Sequence, residues 1–162
     1  MKSMFFYLTA IGEIGIAADD NAITDLYFSD SPIPTDLTLH ESPIIKEAAT
    51  QLREYLAGTR TAFTFPLAPQ GTPFQLTVWQ ALQEIPYGET RSYKEIAVRI
   101  GKPKACRAVG MANNKNPLAI FIPCHRVIGS NGKLVGYAGG LGIKEKLLAM
   151  EKNVRTYIGD SM

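Results

Sequence analysis

This 162-residue chain changes character across Gly58–Gly71, a stretch that carries Pro66 and Pro69: strand signals and one helix come before it, helices after. Before it lie short β-rich runs at Met4–Ile11, Gly15–Ala18 and Ile23–Phe28. They are separated by Gly12-Glu13 and Asp19-Asp20-Asn21, both good turn formers. An antiparallel meander is the economical reading, followed by a loop over Ser29–Thr38 with Pro32 and Pro34. Ser42 then caps a helix with Pro43 at its first position, and Ile44, Ile45, Ala48, Leu52 and Leu56 keep helical spacing up to Gly58.

After the change the signals are helical. Thr72-Pro73-Phe74-Gln75 and Ser92-Tyr93-Lys94-Glu95 both have the capping-box pattern. Phe74, Val78 and Leu82 line one face of the first helix, which Ile85-Pro86-Tyr87-Gly88 ends; the second closes at Gly101. Pro103 opens another, running through Arg107 and Met111 towards Asn114. Two short helices joined by Gly101-Lys102-Pro103 have the sequence form of a helix-turn-helix. A last helix, about Ile143 to Lys152, follows the glycine-rich loop Gly136–Gly142. The expected fold class is α/β, of the α+β kind. Residues 1–70 form a small antiparallel sheet with a helix, and residues 71–162 a mainly helical subdomain.

Net charge is +2 overall, but the two parts differ. Residues 1–70 hold four Lys and Arg against nine Asp and Glu, and residues 71–162 hold thirteen against six. Either surface charges have segregated by chance, or the basic part meets a polyanion while the acidic part stays in solvent. Charge alone does not separate DNA from RNA or an anionic membrane. No apolar run approaches the roughly 20 residues of a membrane helix, and the apolar start is too short for a secretory signal. Two cysteines, Cys106 and Cys124, exclude a disulfide framework, so a reducing cytoplasm is expected.

Cys124 stands in Ile122-Pro123-Cys124-His125-Arg126-Val127. A thiol attacks only as its thiolate; a histidine can take the proton and an arginine favours the anion. Adjacent side chains often point apart, so a reactive nucleophile and a buried structural cysteine both remain open. Cys106, inside a predicted helix with Ala105, Ala108 and Val109, reads as packing, and His40 as a surface residue. Positions 40, 106, 124 and 125 match no zinc-ligand spacing, so no metal is expected. The loop Val135-Gly136-Tyr137-Ala138-Gly139-Gly140 lacks the Gly-Lys-Ser/Thr ending of a P-loop. It can turn tightly around a core tyrosine or wall a slot for a flat base.

Taken together, these segments closely resemble the O6-alkylguanine-DNA alkyltransferases, also called methylated-DNA–protein-cysteine methyltransferases. The resemblance runs from Phe74 to Glu151. It includes Val78-Trp79, Ile85-Pro86-Tyr87-Gly88, Ser92-Tyr93, Arg107-Ala108-Val109-Gly110, Asn116-Pro117, Pro123-Cys124-His125-Arg126-Val127, Gly136-Tyr137-Ala138-Gly139-Gly140-Leu141 and Lys144. Residues 1–70 resemble the family only in pattern and length.

The resemblance implies direct, single-turnover transfer of an alkyl group from O6 of guanine in double-stranded DNA to Cys124. It implies no cofactor, and a cytoplasmic monomer. His125 matches the histidine that acts on the cysteine through a water, Glu151 the glutamate that holds it, and Asn116 an asparagine that bonds turns around the active-site loop. Tyr93 matches the tyrosine of phosphate rotation and proton donation to the base. Arg107 matches the arginine that fills the space left by the flipped base, on a helix-turn-helix used in the minor groove. Ala105, Ala108 and Arg126 are expected on the DNA side; Tyr137, Ala138, Gly139 and Val127 are expected around the base. Ala138 stands where some members carry a serine hydroxyl, and Asn113 where some have an apolar side chain. Zinc-binding Cys and His are lacking in the first part. A non-catalytic lesion-binding protein is the alternative, which the presence of Cys124 disfavours, and a small thiol hydrolase fits poorly.

Overall fold

The computed structural model describes residues 2–129, 131, 132, 137 and 139–160, the side chains of 153–160 excepted. It divides into two compact units, Met1–Gln70 and Gly71–Met162.

In the first unit, strands β1 (Ser3–Thr9), β2 (Gly12–Ala18) and β3 (Ile23–Phe28) pair antiparallel, as the meander reading expects. The β1–β2 hairpin turns at Gly12, whose φ of 102° is open to glycine and strained for a side chain. The next turn is closed by Asp19, whose Oδ1 accepts the amides of Asn21 and Ala22 at 2.8 Å each. A fourth strand, β4 (Thr38–Leu39), lies parallel to β1 and gives the order β3-β2-β1-β4. It corrects the loop reading at its end; two residues are too few to show an alternating pattern. Helix α1 (Pro43–Leu56) buries Ile45, Ala48, Ala49, Leu52 and Tyr55. Ser42 precedes it in extended conformation, but its hydroxyl makes no cap hydrogen bond, so the fixed φ of Pro43 starts the helix instead.

The second unit holds α2 (Pro73–Gln83), β5 (Arg91–Ser92), α3 (Tyr93–Arg99), α4 (Cys106–Asn114), β6 (Val127–Ile128) and α5 (Leu141–Asp160). Both capping boxes form: Thr72 with Gln75 and Ser92 with Glu95 exchange hydrogen bonds of 2.9–3.1 Å. Trp79 of α2 is 1% exposed, and its indole N–H donates to the Ala112 carbonyl of α4 at 2.8 Å, which ties these two helices together. Gly101 ends α3 with φ of 78°.

Three helix readings are corrected. Pro103 sits in the turn, closed by Ala105 N–H to the Lys102 carbonyl at 2.9 Å, and α4 starts only at Cys106. Helix α5 starts earlier and continues well past Lys152. Cys106 is exposed at the start of α4, not packed, because the buried side of that helix is Val109, Ala112 and Asn113. The short parallel pair of β5 with β6 joins Arg91 to Val127 and Ser92 to Ile128. It fixes the segment after Cys124 against the start of α3.

Candidate active site

The segment leading to Cys124 is held by its backbone. Asn116, two residues past the end of α4, receives the Leu118 amide on Oδ1 and donates from Nδ2 to the Ile122 carbonyl, both at 2.9 Å. Between them Ile120, 1% exposed, has φ of 76°, a left-handed conformation that a β-branched residue adopts only under constraint. Ile122 N–H bonds the Leu118 carbonyl at 2.8 Å and Cys124 N–H the Ile122 carbonyl at 2.7 Å. These bonds deliver Cys124 at the start of a single 3-10 turn, Cys124–Arg126.

Burial raises the Cys124 thiol to about 11, although the Asn116 side chain and the Lys144 ammonium pull the other way. The resting site therefore holds a neutral thiol, 4% exposed, that needs a base before it can attack. His125 is next in chain and wholly buried, and burial lowers its pKa so that it is neutral near pH 7. Its Nε2 lies 2.8 Å from Glu151 Oε2. A carboxylate accepts only, so Nε2 carries the ring proton and Nδ1 is the basic nitrogen.

Glu151, on α5, is 1% exposed and gathers four hydrogen bonds: the His125 ring, two from Arg126 at 2.9 Å, and the Gly88 amide at 3.2 Å. Burial alone would raise its pKa, but the His125 and Arg126 donors outweigh it and hold the carboxylate at about 2. Arg126 also donates to the Ile85 carbonyl at 2.9 Å and stacks over the Tyr87 ring at 5.6 Å. Expected on the DNA side, Arg126 is 7% exposed, with its donors engaged inside the unit. This is a correction: the charge serves Glu151, and Arg126 is not a surface contact.

Lys144 of α5 is fully buried, and its Nζ donates to the Val127 carbonyl at 2.7 Å. Burial lowers its pKa, while Cys124 favours its charged form. Tyr137 meets His125 edge to face, with ring centroids 6.4 Å apart. Val127 is buried beside the 3-10 turn and Gly139 lies half-buried two residues beyond Tyr137; Ala138 lies outside the described residues. The structure therefore brings Cys124, His125, Glu151, Asn116, Val127 and Tyr137 into one buried neighbourhood.

A second group is exposed. Arg107 and Ala108 are open on α4, with Ala105 half-buried just before it. Tyr93, half-buried at the start of α3, packs its ring 3.8 Å from where a side chain at Gly110 would begin. Burial raises the Tyr93 hydroxyl above the ordinary tyrosine value, helped by Cys124 and then Cys106, so it stays a proton donor at neutral pH. Residues 93–115 carry Lys94, Arg99, Lys102, Lys104, Arg107 and Lys115 against the single acid Glu95. That excess of basic residues is of the kind that meets a polyanion.

Gly88 and Ile85 contribute backbone atoms, which sequence reading had noted only as a helix stop. The signal available in the sequence was Pro86-Tyr87-Gly88, a turn pattern whose glycine suits a left-handed conformation, and Gly88 has φ of 80°. Among the described residues, no cluster of three or more His, Cys, Asp and Glu could hold a metal ion. No described helix is long and apolar enough to cross a membrane.

Two family models match the chain. Residues 5–69 match the ribonuclease-like domain, and residues 73–153 the DNA binding domain, of 6-O-methylguanine DNA methyltransferase. The chain is 56% identical over 147 residues to the methylated-DNA–protein-cysteine methyltransferase of Methanosarcina barkeri, covering 88% of this chain and 92% of that protein. It is 51% identical over 159 residues to the constitutive enzyme of that name from Bacillus subtilis, covering 92% and 96%. It superposes on the crystal structure of Mycobacterium tuberculosis OGT in complex with DNA with a TM-score of 0.88 and 46% identity, over 94% of each chain.

Proposed function

The chain belongs to the 6-O-methylguanine DNA methyltransferase family, and from that membership we propose how its own residues carry out the repair. The enzyme takes an alkyl group from O6-alkylguanine in DNA onto a cysteine of its own, and Cys124 is that cysteine. His125 Nδ1 removes the thiol proton, with Glu151 fixing the tautomer and stabilising the imidazolium. The thiolate attacks the alkyl carbon in line. The C–S bond forms, the C–O6 bond breaks, and the electron pair leaves on guanine, which takes up a proton, so that the thiol's proton is finally accounted for on the base. Tyr93 is the donor on that side, and its phenolate regains a proton as the His125 imidazolium releases one through solvent, so both groups end neutral. The thioether has no easy leaving group, so each molecule acts once.

O6 of a stacked, paired guanine is out of line for a buried sulfur, so the base must leave the duplex. Extrusion costs a few kcal/mol, least for a poorly paired lesion. Arg107 enters the vacated stack from α4 in the minor groove, with Ala105 and Ala108 close to the backbone and the basic residues of 93–115 on phosphates. Tyr137, Val127 and Gly139 border the extruded base, and Ala138 follows Tyr137 in that wall by sequence. Residues 71–162 are the catalytic, DNA-binding part and residues 1–70 a supporting subdomain. An exposed thiol at Cys106 and a reactive one at Cys124 suit a reducing compartment, which supports a cytoplasmic location.

The observation that carries this reading is the buried run Cys124–His125–Glu151, ending in the Arg126 ion pair. Intact-protein mass measurement after incubation with O6-methylguanine DNA tests it. One methylene's mass gained, on the peptide holding Cys124, is expected. An unchanged mass, or transfer that survives Cys124→Ser, would end it.

A further inference from the structure

Asn113 is a second side-chain amide at this site, and the repair chemistry above makes no use of it. It lies on α4, the helix that carries Arg107, and is 2% exposed, while its neighbours Asn114 and Lys115 are open to solvent. Its Nδ2 is 3.5 Å from the Cys124 carbonyl oxygen. Its Oδ1 is buried and has no hydrogen-bond partner among the described residues. Turning the amide around would not help, since that sets Oδ1 against the carbonyl, acceptor to acceptor. An acceptor is thus left in need of a donor beside the reacting residue, a state that buried polar atoms rarely keep without a function or a bound partner.

We propose that Asn113 Oδ1 is a specificity-determining acceptor for the 2-amino group of the extruded base, an inference that rests on the alkyl-transfer reading. Alkylation at O6 removes the proton from N1 of guanine. The ring nitrogens and the ether oxygen of the lesion are then all acceptors, and the exocyclic amine is the one donor group left on the base edge. Of the groups on the base, only that amine can satisfy Oδ1. A hypoxanthine alkylated at the same oxygen has no amine, so binding it leaves Oδ1 without a donor. The helix that probes the duplex through Arg107 thereby also checks the identity of the base brought to Cys124.

Single-turnover transfer from duplexes containing O6-methylguanine or O6-methylhypoxanthine, read by intact-protein mass, tests the assignment. The wild-type chain should favour the guanine lesion by about tenfold or more, the loss of one buried hydrogen bond. Asn113→Ala and the near-isosteric Asn113→Leu should bring the ratio towards one, by slowing transfer from the guanine lesion. Equal slowing of both substrates would make the amide merely structural or water-bound and would overturn the assignment. So would a wild-type chain that shows no preference, a comparison that requires no variant to fold. Transfer from neither duplex by the wild-type chain would instead sink the alkyl-transfer reading and this inference with it.

Discussion

Arg126 grips Glu151 edge to edge: Nε reaches Oε1 and Nη2 reaches Oε2, each at 2.9 Å, with both side chains nearly excluded from water. Two residues of one 3-10 turn, His125 and Arg126, therefore converge on a single carboxylate of α5. The arginine keeps that carboxylate ionised, and the ionised carboxylate keeps the histidine proton on Nε2. The tautomer of the histidine beside the cysteine thus rests on a contact made two residues beyond Cys124.

Removing the arginine charge should be severe. Arg126→Ala leaves Glu151 buried with its main counter-charge gone, and breaking such a pair from one side costs about 3–5 kcal/mol. Arg126→Lys keeps the charge but offers one point donor where a planar fork stood, so an intermediate loss is expected. Urea unfolding measures both. A loss for Arg126→Ala within the range of ordinary surface substitutions would show that the clamp holds nothing.

Acid should act through two groups in the same direction. His125 has a folded pKa below its unfolded value of about 6.5, so the unfolded chain takes up a proton first and stability falls as pH drops through that value. Glu151, held at about 2, contributes stability above its ordinary 4.5, and loses it between there and about 2, to a total of about 3 kcal/mol. The thiol works from the other side: with Cys124 raised to about 11, the unfolded chain ionises first above about pH 9 and stability falls there. A stability maximum between those limits is expected from denaturation across pH. The transfer rate should keep its neutral value at pH 6.5 and fall only below it; an acid limb centred above 6.5 would contradict a buried neutral histidine.

Arg107 should behave in the opposite way to Arg126. It is exposed on α4, so Arg107→Ala should change stability by no more than about 0.5 kcal/mol. Repair of a lesion inside a duplex should slow, while reaction of Cys124 with a small alkylating agent should not. Equal slowing of both reactions would mean that Arg107 acts on the cysteine and not on DNA.

Much of this was legible in the chain because local chemistry dictates it. Both capping boxes, the glycine stop at Gly101 and the β1–β2–β3 meander follow from spacing over a few residues. The adjacency of Cys124 and His125 stands out as a motif. The partnership of Arg126 with Glu151 spans 25 residues, and nothing in local spacing separates a clamping arginine from a phosphate-binding one. Cys106 misled for the same reason: apolar neighbours suggested packing, but the helix starts at that residue and turns it outward. β4 is too short to carry a pattern, and the helical start at Pro103 failed because a proline suits a turn as well as a first helical turn.

Asn116 offers a test of how the backbone governs the thiol. Asn116→Ala removes the acceptor for the Leu118 amide and one of the two donors to the Ile122 carbonyl, which keeps the Cys124 N–H; the buried Leu118 amide is left unpaired at about 1–3 kcal/mol. The left-handed conformation of Ile120 lies between those two groups, so losing the bridge frees it to relax and Cys124 to shift. The same amide also lowers the Cys124 pKa against burial, and without it the thiol should titrate higher still. The two effects differ in what they slow. A displaced sulfur slows transfer from DNA alone, whereas a weaker acid also slows the reaction of Cys124 with a small alkylating agent. Both rates at neutral pH on a variant shown to be folded separate them, and slowing of both is the expected outcome. Slowing of transfer alone would mean that Asn116 only places the cysteine, and an unchanged rate would remove it from the site.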